Sequence, residues 1–443
     1  MKFRPLGLLL PCLLLLEAAM PSHAQETAGS GLLYPILVDG KWGFISEAGD
    51  VITPPSYDSL QGLRFPFPGC TDLRYAPNVL GADGPVAVAV SSGHVGMKWG
   101  FVGPSGEIVP PVYDMVYGFR DGVAAVSRDG KWGFIDATGA EVISFNYDYA
   151  SGFREGASVV MVDGWWGLIA DDGNYIVEPV YDIIRFLTHG PYLMFETRGK
   201  QGVLHASGEM LADAQFDQVH VVSEDLVNVV VEGKAGYFNV ASNEWQIEPS
   251  FDGAAPFGDG VAEVRLGNAA GFIDRSGNFT VEPREPNKRL MSNFGQFHFE
   301  GGKLSPIRKY IDVKRRQQVV GLIDTRSGEV LIEPVFTSIG MVYEGRAVFE
   351  DAGKFGYLDE AGNIAIPALF KQATDFSGGL AYVTFEDGSG YIDPEGRMAI
   401  TFDDKRLRGS PFRPDLAFVY GDGRERYVNQ DGVEIYSFAS GCN

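Results

Sequence analysis

Apolar positions along this chain come in short bursts separated by polar turns and never settle into a helical period. The stretches Phe119–Val126 and Phe257–Val264 are short, largely apolar and punctuated by glycine, which reads as a strand. A polar Asp-Gly pair follows the first of them at Asp129-Gly130 and recurs at Asp163-Gly164, a dipeptide that favours tight hairpins. The second predicted strand is Lys-Trp-Gly-Phe-Ile, as at 131–135. It closes on Asp-x-x-Gly, at Asp136 to Gly139, Asp274 to Gly277 and Asp393 to Gly396. There the Asp side chain can bond the turn backbone and the Gly can take positive φ. The third strand runs to a Tyr-Asp or Phe-Asp pair. A proline beside that pair (Pro55, Pro111, Pro179, Pro249, Pro334) suits a strand edge or bend. Three strands of about five residues with tight turns fill about 35 residues, and no helix of useful length is left over.

The unit repeats. "GKWGFISEAGDVITPPSYD" from Gly40, "MKWGFVGPSGEIVPPVYD" from Met97, "DGKWGFIDATGAEVISFNYD" from Asp129 and "GWWGLIADDGNYIVEPVYD" from Gly164 share one frame. The frame glycines are Gly43, Gly100, Gly133, Gly167, Gly202, Gly236, Gly271, Gly321, Gly356 and Gly390, most of them 33 to 35 residues apart. A decayed eleventh copy begins at Arg424. The pattern resembles the WG-containing repeat family, which occurs as tandem arrays in many bacterial proteins, often behind signal sequences. The resemblance implies a β-rich repeat scaffold, usually without an assigned activity. Trp42, Trp99, Trp132 and Trp166 fill the tryptophan slot, whereas Gln201, Ala235, Ala270, Val320, Phe355 and Ser389 fill it later.

A three-stranded unit cannot bury its own apolar face, so neighbours must stack. The expected fold is all-β: about eleven three-stranded meanders in an open superhelical, solenoid-like array. The alternative is a closed β-propeller-like ring or rings, although propeller blades usually have four strands and number four to eight. The chain divides into a leader at 1–24, repeats over 25–280 with an insertion at about 61–85, a basic insertion at 281–318, and repeats over 319–443.

Residues 1–24 have a basic start (Lys2, Arg4), an apolar run and a small-residue exit ending at Ala24, the layout of a signal peptide. That predicts export, to the periplasm or outside the cell, without a transmembrane anchor. The net charge of -22 argues against nucleic acid or anionic lipid as the main partner. Cys70 and Cys442 remain after the leader and either pair or stay free.

Two regions are candidate binding sites. The tryptophan slot accepts Gln, Ala and Ser, and a buried Trp replaced by Ala should cost about 3 to 5 kcal/mol. The slot is therefore expected to be partly exposed. Trp42, Trp99, Trp132, Trp165 and Trp166 then either form an aromatic track that stacks on sugar rings or apolar partners, or pack between repeats with one edge exposed. The second region, Arg284 to Gln318, holds nine Lys or Arg against three acids. Lys288, Arg289, Arg308, Lys309, Lys314, Arg315 and Arg316 could meet an acidic partner, or simply line a solvated loop. Catalytic, phosphate-binding and metal-ligating motifs are lacking, so no cofactor and no catalysis are expected. The expected function is an interaction scaffold for an envelope or extracellular protein, with polysaccharide binding through the tryptophans as the alternative.

Overall fold

The computed structural model describes residues 32–60, 84–92, 96–188, 190–284, 304–312, 317–402, 404, 406–413 and 415–439. All regular structure in these residues is strand, arranged as eleven antiparallel sheets. Numbered along the chain as blades, nine of the eleven have four strands; blades 1 and 8 have three. Blade 3 is typical, with strands Met115–Val116, Val123–Arg128, Lys131–Asp136 and Glu141–Tyr147 in sheet order.

The three-strand expectation is corrected by an added first strand in nine blades, two residues long in six of them. Met115–Val116 and Tyr149–Ala150 follow the Tyr-Asp pair directly and hydrogen-bond forward, to Ser127 and Val126 and to Met161 and Val160. Their length is too short to leave a periodic signature, and their partners belong to the next repeat. Each Tyr-Asp pair therefore ends one blade and opens the following one.

The hydrophobic core lies between blades. Phe134 and Ile143 of blade 3 form one cluster with Phe153, Val160 and Ile169 of blade 4. Equivalent clusters join each successive pair, including blades 7 and 8 through Val281, Ile307 and Ile323. The last cluster decides the architecture: Tyr34, Ile36 and Trp42 of blade 1 pack with Leu416, Phe418, Tyr427 and Phe438 of blade 11. Tyr34 and Tyr427 meet edge to face with centroids 5.6 Å apart. The buried Tyr427 hydroxyl donates to Pro35 O at 2.7 Å, much as Tyr237, Tyr357 and Tyr391 donate to Ala255, Thr374 and Ser410 of their next blades.

The open array is thus replaced by one closed β-propeller ring of eleven blades. Closure is favoured because both terminal blades of an open array would leave an apolar face in water. The long interval between Gly271 and Gly321 does not divide two rings. Thr280 Oγ1 of blade 7 donates to Thr325 O of blade 8 at 2.8 Å. Within the predicted basic insertion, Leu304–Asp312 is the first strand of blade 8.

Candidate functional site

The motif residues converge on the joints between blades. In the joint of blades 3 and 4, Trp132 pairs across the sheet with Tyr147, but Phe134 pairs with Ile143. The fourth strand therefore bulges opposite Gly133. A Cβ on Gly133 would sit 2.7 Å from Ile143 O. The same crossing recurs at Gly43, where a Cβ would lie 2.6 Å from Thr53 O, and at Gly271, 2.5 Å from Val281 O. The frame glycine is needed because another backbone occupies the place of its side chain.

The lysine before the slot and the aspartate of the Tyr-Asp pair form a second recurring feature. Lys41–Asp58, Lys98–Asp114, Lys131–Asp148, Lys200–Asp217 and Lys234–Asp252 each pair at 2.5 Å. The second carboxylate oxygen reaches into the next blade's hairpin, where Asp148 Oδ2 accepts from Asp163 N at 2.7 Å and Asp217 Oδ2 from Glu232 N at 2.7 Å. One carboxylate thus ties a lysine of its own blade to the turn of the next. In the joint of blades 9 and 10 Lys354 keeps the lysine position but the acid moves to the next hairpin. Lys371 stands in the aspartate position and pairs with Glu386 of the next hairpin at 2.7 Å, with Lys354 at 3.6 Å from the same group.

Hydrogen bonding from the lysine is the largest cause that holds Asp58, Asp114, Asp148, Asp217 and Asp252 below the usual carboxylate range. A carboxyl depressed in the folded state stabilises the fold above its unfolded pKa of about 4 and loses that contribution as pH falls through the folded value. Urea midpoints measured from pH 6 to pH 2 are therefore expected to fall below about pH 4, and Lys131→Met is expected to make that fall shallower. Parallel acid profiles for the two proteins would show that this clamp contributes nothing.

The structure separates the candidate tryptophans. Trp42 and Trp132 are 2% and 5% exposed, so burial removes both from any exposed track. Trp99 and Trp166 are half-buried against the clusters of their joints, and Trp165 alone of the five is open, at 48%. Trp132 stacks on Tyr117 at 5.4 Å and meets Tyr149 of blade 4 at 5.8 Å. Tyr149 continues to Trp166 at 5.3 Å. The slot is an inter-blade filler.

Its tolerance of polar residues has a different cause from exposure. Gln201 accepts from Val219 N of the next blade at 2.8 Å and donates to Glu196 at 3.0 Å. Ser389, fully buried, donates to Leu407 O at 3.3 Å. Ala235 pairs across the sheet with Phe251 and is buried in the same cluster as Phe257.

Of the basic residues, Arg308 and Lys309 lie on the first strand of blade 8, opposite Val320 and Val319. Lys288, Arg289, Lys314, Arg315 and Arg316 lie outside the described residues, as do Cys70 and Cys442. On the ring face away from the clamps, a cavity of about 780 Å³ opens between blades 3 and 4, lined by Arg120, Asp121, Phe153, Arg154, Glu155 and Asp171 among others. Arg154 is already committed there, donating to Leu187 O at 2.7 Å and Gly190 O at 2.9 Å. Among the described residues no cluster of His, Cys, Asp and Glu is arranged to hold a metal.

The sheet register, the frame glycine and the clamp define one unit, and a family model describes the same unit. WG containing repeat matches at 42–63, 99–132, 132–164, 166–200, 236–268, 321–355 and 355–388, together about half of the chain. The chain belongs to this family. No curated protein matches it. Solved structures with some likeness include a eukaryotic initiation factor, at 10% identity over 72% of this chain and 96% of that one, TM-score 0.38. Hsv2 of Kluyveromyces lactis is 11% identical over 64% of this chain and 94% of its own, TM-score 0.30. The dihydro-heme d1 dehydrogenase NirN is 12% identical over 64% and 73%, TM-score 0.28. Scores this low add nothing to the WG-repeat ring described above.

Proposed function

We propose that this WG-repeat ring is an exported, non-catalytic scaffold that binds another protein in the cell envelope or outside the cell. The observation that carries this reading is where the repeated ionisable residues go. The clamp aspartates are held by lysines and hairpin amides. The Asp-x-x-Gly acids are held by their own turns, as where Asp136 Oδ1 accepts from Thr138 N at 2.8 Å and Ala140 N at 3.0 Å. The motif chemistry thus serves the ring, and what is left for recognition is surface. That surface includes exposed apolar residues at one register of the last strand of four blades, just before the closing aromatic: Val112, Val180, Val335 and Leu369. Such residues on a rigid rim suit protein contact. The leader at 1–24 supports export.

A glycan-binding track has less support, because two of its five tryptophans are buried. Affinity capture from envelope extract with residues 25–443 as bait tests the proposal, assaying bound protein and bound sugar together. A discrete protein lost on substituting rim residues such as Val180→Glu and Leu369→Glu is the expected result. Recovery of polysaccharide without protein would overturn it.

A further inference from the structure

Joint 4/5 breaks the clamp rule. Blades 1, 2, 3, 5 and 6 carry Lys41, Lys98, Lys131, Lys200 and Lys234 at the strand position where blade 4 carries Trp165. The backbone there is unchanged, since Trp165 pairs with Val162 across its hairpin as Lys131 pairs with Arg128. The aspartate is also kept. Asp182 Oδ2 accepts from Arg198 N at 2.9 Å, the same bond that Asp148 makes to Asp163 N. Only the cation is gone: among the described residues no lysine or arginine side chain pairs with Asp182, and both Asp182 and Trp165 are exposed.

Two other departures among the described residues leave no such remainder; at Ala269 and Gly388 the acids that follow, Glu285 and Asp403, lie outside the described residues. Where Lys371 replaces the aspartate, Glu386 supplies the acid. In the joint of blades 8 and 9, Val319 and Thr337 stand at the two positions and neither is charged.

We propose that the Trp165–Asp182 corner receives a primary ammonium group, the ε-amine of a lysine on a protein partner. The inference rests on the scaffold reading above and adds the chemistry of the contact. Five internal copies show the geometry the incoming group would adopt, an amine 2.5 Å from the first carboxylate oxygen while the second holds the hairpin amide. An indole at the vacated lysine position adds an aromatic face for the cation. The large negative charge of the chain draws a basic partner towards the site.

The test is a titration of the purified protein with Nα-acetyl-lysine methylamide, followed by the Trp165 indole N–H resonance, with the Nε-acetylated compound as the neutral control. A saturable shift with the amine alone is expected. Asp182→Asn should weaken it at least fivefold. Trp165→Lys should abolish binding of the amine, because its own ammonium would occupy the carboxylate, and its melting temperature should be no lower than that of the parent. Absence of a shift with the amine, an equal shift with the acetylated compound, or unchanged affinity in Asp182→Asn would overturn the proposal.

The scaffold reading is separated by repeating the capture with Trp165→Lys. If the parent and the variant retain the same partner equally, the scaffold stands and the lysine contact falls. If the parent captures no protein while the amine still titrates, the ammonium site stands and the scaffold falls.

Discussion

Gly133→Ala is expected to cost about 3 kcal/mol or more of stability, beyond the usual penalty for adding one methyl group to a packed site. The added Cβ would lie 2.7 Å from Ile143 O and 3.0 Å from the Phe145 ring. The ring of Phe145 can shift, but the carbonyl belongs to a fourth strand held on both sides of the bulge by the Trp132–Tyr147 and Phe134–Ile143 pairings. Relief would require breaking one of them and would move Asp148, and with it the clamp to blade 4. Gly130→Ala separates this crowding from ordinary backbone strain. Gly130 has φ +78 in the hairpin turn, with nothing within 4 Å of a Cβ. It should therefore lose only about 1 kcal/mol. Urea unfolding of the two variants against the parent measures both. Equal and small losses would mean that the fourth strand yields and that the frame glycine is not needed for the crossing.

The frame glycines, the hairpin turns and the Asp-x-x-Gly turns are legible in one sequence because each is decided within a few residues. Asp129-Gly130 takes the double positive φ (54 and 78) that its composition favours. The two-residue first strands and ring closure were not legible, because both depend on what lies across a joint. Closure rests on Tyr34, Phe418 and Tyr427 finding one another from opposite ends of the chain, and no local pattern encodes that. The Lys–Asp clamp could have been found. The two residues recur 16 to 18 positions apart, and the Lys371–Glu386 pair keeps the charges opposite. The tryptophan slot misled for a physical reason: its polar occupants are satisfied by the neighbouring blade, as Gln201 is by Val219 N. Substitution tolerance at a joint reports the joint's two sides together and is a poor guide to exposure.

Trp132→Ala carries the other large expected effect and separates the two tryptophan environments. Trp132 is 5% exposed, stacked on Tyr117 and against Tyr149 in the joint of blades 3 and 4. Truncation would leave a cavity bounded by Tyr147 and Ala125 as well, residues fixed by their own strand pairing. The expected loss is about 3 to 5 kcal/mol. The small occupant at Ala235 does not predict tolerance here, because that joint is packed around an alanine, with Phe251 and Phe257 in the same cluster, whereas the Trp132 joint is filled by the indole itself. Trp165→Ala, at a position 48% exposed, should change stability by no more than about 0.5 kcal/mol. Thermal and urea unfolding of the two single variants decide the matter. A Trp132→Ala protein as stable as the parent would mean that Tyr117 and Tyr149 collapse into the space, and the inter-blade stack would then lose its place as a determinant of ring stability.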